Sequence, residues 1–80
     1  MAGLLVFGVG AAAAADATRI SNPDGTVVDV VTTATGSTVT SYDPQGAVTS
    51  KLRYPTYKGE EGHQAILLYL APPGAKFEKQ

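Results

Sequence analysis

Short β-branched runs alternate with turn sequences through the middle of the chain, and this pattern predicts three β-strands. More than half of residues 26–50 are Val or Thr, whose branched side chains fit a pleated sheet better than a helix. Turn sequences rich in Pro, Asn, Asp and Gly separate the runs. The predicted strands are residues 26–33, 37–42 and 47–54, joined as antiparallel hairpins because connections this short allow no crossover.

Four residues are expected to shape these turns, namely Gly25, Gly36, Pro44 and Gly46. Pro presets φ for the first central position of a tight turn, and Gly adopts a positive φ without strain. The sequence around Gly25 is also similar to that around Gly46, at an offset of 21 residues. A repeat of this kind indicates two equivalent hairpin units.

The predicted strands differ in the faces that they bury. Strand 47–54 places Leu52 and Tyr54 on one face and Lys51 and Arg53 on the other. Strand 26–33 carries Val on both faces, which predicts a central position in the sheet, covered on both sides or packed against a partner.

The sequence of the last third of the chain predicts secondary structure less clearly. Residues 65–70 form an apolar run whose length does not separate a strand from a helix, and we favour a fourth strand that completes the sheet. Residues 59–63 are interpreted as a solvated loop in which His63 and its Glu neighbours face water, without a catalytic or metal role. The tail, residues 76–80, is expected to fray. The predicted fold class is therefore mainly β, a small antiparallel sheet of three to four strands.

An apolar, uncharged segment of residues 1–15 precedes a β domain of residues 16–80. The segment is too short to cross a bilayer, which needs roughly 20 residues, but it has the proportions of a signal-peptide core. Ala13 and Ala15 before Asp16 are typical of a signal-peptidase site, although no basic residue stands at the N-terminus. We therefore expect secretion or a place in the cell envelope; the alternative is that this segment packs as a helix.

The same segment supports a different hypothesis. Gly8, Gly10 and Ala13 match the G-x-G-x-x-A pattern that brings a dinucleotide pyrophosphate to a helix N-terminus, and Asp29 stands where a ribose contact is expected. The helix would end by about Ile20, which is short for a crossover helix, and no strand–helix alternation follows. Nucleotide binding is therefore kept as an alternative function, and no cofactor is predicted.

Composition narrows the chemistry further. The chain has 80 residues, no Cys and one His, which excludes disulfides, thiolate metal sites and a Cys nucleophile and disfavours a zinc site. Six basic and seven acidic residues give a net charge of −1, which favours neither nucleic acid nor anionic lipid as a partner. A core this small is marginal, so we expect the chain to associate with copies of itself or with a larger protein.

Tyr42-Asp43-x-x-Gly46-x-x-Thr49, followed by Ser50, resembles the unit of the YD (Rhs) repeat family. The resemblance covers residues 21–54, and the earlier unit departs from it, with Ser21 and Asn22 where Tyr and Asp are expected. In that family, many repeats wind into a β-sheet shell around a toxin or adhesive domain. The resemblance implies hairpin units and kinship with such a protein, and it carries over no catalytic residue.

The predicted binding site is a short group in which Tyr54 and Tyr57 flank Pro55, close in sequence to Arg53 and Lys58. Tyr offers contact area with a polar tip, which suits a protein interface or a polysaccharide; ordinary packing at a sheet edge is the alternative. No Ser stands in a nucleophile-elbow sequence. We therefore predict a non-enzymatic, exported or envelope-associated binding or structural module.

Overall fold

Five strands and one helix succeed one another along residues 15–80, the part of the chain that the computed structural model describes. They are β1 (Asp16–Ser21), β2 (Val27–Thr33), β3 (Gly36–Tyr42), β4 (Val48–Tyr54), α1 (Gly59–Leu70) and β5 (Lys76–Lys79). The sheet order is β4-β3-β2-β1-β5, and every neighbouring pair is antiparallel. The prediction of a mainly β, antiparallel fold is confirmed, with five strands in place of three to four.

The three predicted strands correspond to β2, β3 and β4 to within one residue at each end. Turn chemistry explains this agreement. Asn22 accepts from the Gly25 N–H at 3.0 Å, and Asp43 accepts from the Gly46 N–H at 2.9 Å, so the two repeated turns share one hydrogen-bond pattern. Gly25 and Gly46 also share a positive φ, 91° and 92°, which only Gly adopts freely.

The core lies between one face of the sheet and α1. Its buried apolar side chains are Ile20, Val30, Val39, Ile66 and Leu67. Strand β2 is central, as predicted, but the helix covers only one of its faces: Val30 points to the core, whereas Val31 on the open face is 42% exposed.

Residues 65–70 belong to α1, so the prediction of a fourth strand there was wrong. His63, Ile66, Leu67 and Leu70 recur at helical spacing and turn toward the sheet. The connection explains the choice of a helix: β4 and β5 run in the same direction at opposite edges, so the chain must return along the sheet between them. Twelve helical residues rise about 18 Å, close to the length of one strand.

Two further corrections concern short segments at the two ends of the described residues. Residues 16–20, which the nucleotide hypothesis placed in a helix, form most of β1, and the tail that was expected to fray pairs with β1 as β5. Both strands depend on pairing between distant parts of the chain, which a local pattern does not reveal. The leader and the Gly8, Gly10 and Ala13 pattern lie outside the described residues.

A glycine inside α1 explains why residues 59–63 were wrongly interpreted as a loop. A Cβ on Gly62 would lie 2.6 Å from the backbone carbon of Tyr57, so this position requires the missing side chain for close approach. The Gly62 N–H still donates to the Lys58 carbonyl at 3.1 Å, as a helical residue does. The first turn of α1 therefore packs directly on the segment that follows β4.

We expect Gly62→Ala to destabilise the protein although Ala is the better helix former. The propensity gain is about 1 kcal/mol, whereas overpacking against backbone atoms costs about 1–3 kcal/mol and here has no flexible side chain to relieve it. A net loss of about 1–2 kcal/mol in the free energy of unfolding should appear in urea titrations. The exposed Gln64→Ala in the same helix is the control and should change stability by less than about 0.5 kcal/mol; a Gly62→Ala protein that melts above wild type contradicts the close contact.

Candidate functional site

A chain of buried hydrogen bonds joins the helix to the sheet. His63 is 3% exposed; its Nε2 lies 2.8 Å from Thr18 Oγ1 and its Nδ1 lies 2.7 Å from Thr32 Oγ1. Thr32 Oγ1 lies 2.7 Å from Ser37 Oγ, which donates to the Tyr57 carbonyl at 2.7 Å. The expected solvated His63 is therefore a buried, fully bonded side chain.

The carbonyl at the end of this chain fixes the direction of every proton in it. Because the Tyr57 carbonyl only accepts, Ser37 uses its proton there and must accept from Thr32. Thr32 therefore accepts from His63 Nδ1, and Nε2 is left as an acceptor for the Thr18 hydroxyl. His63 is thus the neutral tautomer protonated at Nδ1, and both of its nitrogens are engaged.

Burial lowers the pKa of His63 below its ordinary value, because the charged imidazolium would lose its hydration. The charge of Asp16 opposes this lowering and the charge of Lys79 adds to it. A proton added at Nε2 would also turn this nitrogen from an acceptor into a donor that faces the donating Thr18 hydroxyl. The group therefore stabilises the fold only in its neutral state.

Three tyrosine rings meet on the helix side of β4, and we call them the aromatic cluster: Tyr54, Tyr57 and Tyr69. Tyr54 and Tyr57 meet edge to face with centroids 6.1 Å apart, and Tyr57 stacks on Tyr69 at the same distance. Tyr69 is 66% exposed. The structure thus brings together the two predicted tyrosines and adds a third from the helix.

The two predicted basic residues, Arg53 and Lys58, differ in their position relative to that cluster. Arg53 is on the open face of the sheet, where it donates to the Thr35 carbonyl at 3.0 Å. Tyr54, its neighbour in the strand, is on the opposite face because successive side chains alternate. Lys58 is exposed at the N-cap of α1. The strand therefore separates Arg53 from the tyrosines, whereas Lys58 directly follows Tyr57 in the chain.

Strand β4 is an edge of the sheet and its apolar side chains are largely exposed. Among the strands of residues 15–80 it pairs with β3 alone, and Leu52 and Val48 are 52% and 60% exposed. Helix α1 packs over β1, β2 and β3 and does not approach β4 closely. Beside Leu52 the sheet therefore presents uncovered apolar surface next to the aromatic cluster, and Leu68 adds a further exposed apolar side chain on the outer face of α1.

A shallow pocket of about 270 Å³ lies on the open face between the two repeated turns. Arg19 and Asp29 form a two-bond ion pair there, with distances of 2.7 and 2.8 Å, and the guanidinium lies 5.9 Å from the Tyr42 ring centroid. The hydrogen bonds of the pair raise the pKa of Arg19 and lower the pKa of Asp29. Asp29, the residue that the nucleotide hypothesis reserved for a ribose, is engaged in this pair.

The residues that sequence reasoning missed are the hydroxyl partners of His63. The two-residue spacing of strand side chains could have identified them. Thr18, Thr32 and Ser37 each stand two positions from Ile20, Val30 or Val39 and so share the buried face. Hydroxyl groups at core positions indicate a buried polar partner, because each needs a hydrogen bond there.

Within residues 15–80, no three His, Asp or Glu side chains lie close enough to hold a metal ion. In the same part of the chain, no helix combines the length and the apolar character that a membrane span needs. Comparison with protein-family models, curated proteins and solved structures found no match.

We expect the free energy of unfolding to fall as the pH drops below about 6.5, the ordinary pKa of His. Because the folded pKa of His63 is lower, the unfolded chain binds more protons between the two values, and acid favours it. Each unit of pKa lowering corresponds to about 1.4 kcal/mol of stability lost when the titration is complete. Urea titrations at about pH 7.5 and about pH 5.5 measure the effect.

His63→Gln is the matched variant, and it should lose that part of the pH dependence if it folds. Ring nitrogen NMR of the wild-type protein provides a second readout that does not depend on the variant, with the proton expected on Nδ1. A His63 that titrates above about 6.5 contradicts the lowering of its pKa by burial, and a neutral His63 that carries its proton on Nε2 contradicts the hydrogen-bond direction derived above.

Proposed function

We propose that this chain is a non-enzymatic, exported or envelope-associated binding module that docks a protein partner along β4. The observation that carries the proposal is the exposed apolar surface at Leu52 and Tyr69, beside a sheet edge that no other strand of residues 15–80 covers. Exposed apolar groups gathered in one place are a mark of interaction surfaces in soluble proteins. Tyr is also among the residues that contribute most to interface energy.

The aromatic cluster supports docking because its rings are held in place before a partner arrives. Tyr57 is fixed by its carbonyl, which accepts from Ser37, and by Gly62, whose missing side chain lets the backbones approach. Tyr54 and Tyr69 contact the Tyr57 ring from two sides. Side chains that are already ordered lose less conformational entropy on binding, so the same contact area gives higher affinity.

The state of His63 supports a non-enzymatic role. It is the one His of the chain, and its ring is the ordinary side chain for proton transfer near neutral pH. Both nitrogens are bonded to hydroxyls in the interior, and the ring is almost inaccessible. A substrate would have to displace the contacts that join the helix to the sheet.

Export is supported by the position at which the sheet begins. Strand β1 starts at Asp16, directly after the Ala13-Ala14-Ala15 sequence that is typical of a signal-peptidase site. Cleavage there would leave all five strands and the helix intact.

A second candidate is kinship with YD-repeat proteins, and one observation favours it. The turns at Gly25 and Gly46 share their hydrogen bonds and their φ values, as equivalent repeat units would. On this proposal, the chain is a fragment or a relative of a longer shell-forming protein. A parent reading frame with further Tyr-Asp-x-x-Gly units would support it.

The intact mass of the protein from a host that exports it tests the first part of the proposal. We expect a product that begins at Asp16, because signal peptidase cleaves after small residues. Cytoplasmic expression of the same gene is the control and should retain the leader. Recovery of the uncleaved chain in the cytoplasm of the exporting host contradicts export.

Site-specific photo-crosslinking in the source cell tests docking. A photoreactive residue at position 52 should give one discrete adduct with a protein. The control is the same residue at position 31, because Val31 is also apolar and partly exposed but lies on the other face. An adduct at twice the chain mass indicates self-association through β4; equal adducts from both positions, or adducts from neither, contradict docking at this surface.

A further inference from the structure

We infer that the partner adds to β4 as an extended acidic strand whose side chains alternate between carboxylates and apolar groups. This inference rests on the proposed function and specifies its partner. Three features of β4 carry it: a backbone edge that no other described strand pairs with, cations on one face and apolar groups on the other.

No strand of residues 15–80 pairs with the outer backbone edge of β4. The strand has seven residues and forms one end of the sheet, with β3 as its neighbour on the other side. An edge strand directs alternate N–H and C=O groups away from its neighbour, and these groups accept an added strand. The register with β3 is regular from Ser50 to Tyr54, so an added strand meets a straight stretch of five residues.

The open face of this stretch carries positive charge. Lys51 and Arg53 stand opposite Thr40 and Thr38 of β3, so no carboxylate faces them across the strand pair. Among the ion pairs of residues 15–80, only Arg19 with Asp29 is closer than 4.0 Å. A strand placed outside β4 would bring its own side chains beside Lys51 and beside Arg53, whose guanidinium also donates to Thr35 on the β3 side. Opposite charges at these positions are stabilising and like charges are not.

The other face of the same stretch is apolar. Leu52 and Tyr54 alternate with the two cations, and the aromatic cluster continues this surface toward α1. Because side chains of an added strand alternate in the same way, those beside Leu52 must be apolar when those beside Lys51 are acidic. The two faces together therefore specify an alternating acidic and apolar sequence.

A second copy of this chain does not satisfy these requirements. Pairing β4 with another β4 would place Lys51 and Arg53 near their own equivalents. The opposite edge, β5, has one carboxylate, Glu78, which shares its face with Lys76, and its other face carries Lys79 with Phe77. Like charges across a strand pair are destabilising, so the charges favour a different chain as the partner.

The probe is a synthetic peptide of about seven residues that alternates Glu and Val, with blocked termini, titrated into the isotope-labelled full chain. We expect NMR shifts centred on the amides of Ser50–Tyr54, and binding that weakens at least about fivefold in Lys51→Glu. Lys76→Glu makes the same charge change at the other edge and should bind as wild type does. A peptide of equal composition with its Glu residues grouped together, and one with Lys in place of Glu, should bind at least about fivefold more weakly.

Both substitutions are at exposed positions and should leave the fold intact. The amide spectrum of each variant checks this. Shifts that spread over the sheet, equal binding of the grouped peptide, or equal losses in the two variants would overturn the inference. If photo-crosslinking at position 52 gives its adduct but the alternating peptide leaves β4 unchanged, the inference is wrong and the proposed function stands. If both experiments fail, the docking surface itself is wrong.

Discussion

The structure depends on one buried polar connection, the hydrogen-bond chain that passes through His63. Its members come from β1, β2, β3, α1 and the segment after β4, so it joins nearly every element of the fold. The apolar core beside it is small, with five buried side chains. Apolar contacts alone tolerate sliding of a helix over a sheet, whereas a fully satisfied hydrogen-bond chain fits one position. The register of α1 on the sheet therefore follows from the hydroxyl groups at three strand positions.

Fixing the helix over β1, β2 and β3 has a consequence at β4, which remains uncovered. The same chain ends on the Tyr57 carbonyl, and Gly62 lets the helix approach that backbone closely. Tyr57 is thereby held between Tyr54 and Tyr69. The buried hydrogen-bond chain and the aromatic cluster are thus connected through Tyr57. A change that loosens α1 would also separate the three rings.

The hairpins could be predicted from the sequence because their information is local: Pro, Gly and Asx residues specify a turn within four positions. Helix α1 could not, because Gly62 is typical of a loop and its steric reason lies in a contact with Tyr57. Strands β1 and β5 have six and four residues and pair with each other, and a local pattern does not reveal pairing between such distant parts of the chain. For the site, spacing identified Tyr54 and Tyr57, but Tyr69 joins them only once residues 59–70 are helical. Arg53 was grouped with them by proximity in sequence, although alternation in a strand separates the two faces.

The two edges of the sheet are built differently, and this asymmetry is the strongest argument for a role of β4. Strand β5 is short, polar but for Phe77, and carries Lys at both ends, which are ordinary means of preventing edge-to-edge association. Strand β4 is longer, and its cations alternate with Leu52 and Tyr54 instead of replacing them. Lys51 and Arg53 therefore prevent pairing between identical edges without removing the apolar surface. An edge that repels its own copies but keeps its apolar groups exposed is suited to a strand of opposite charge.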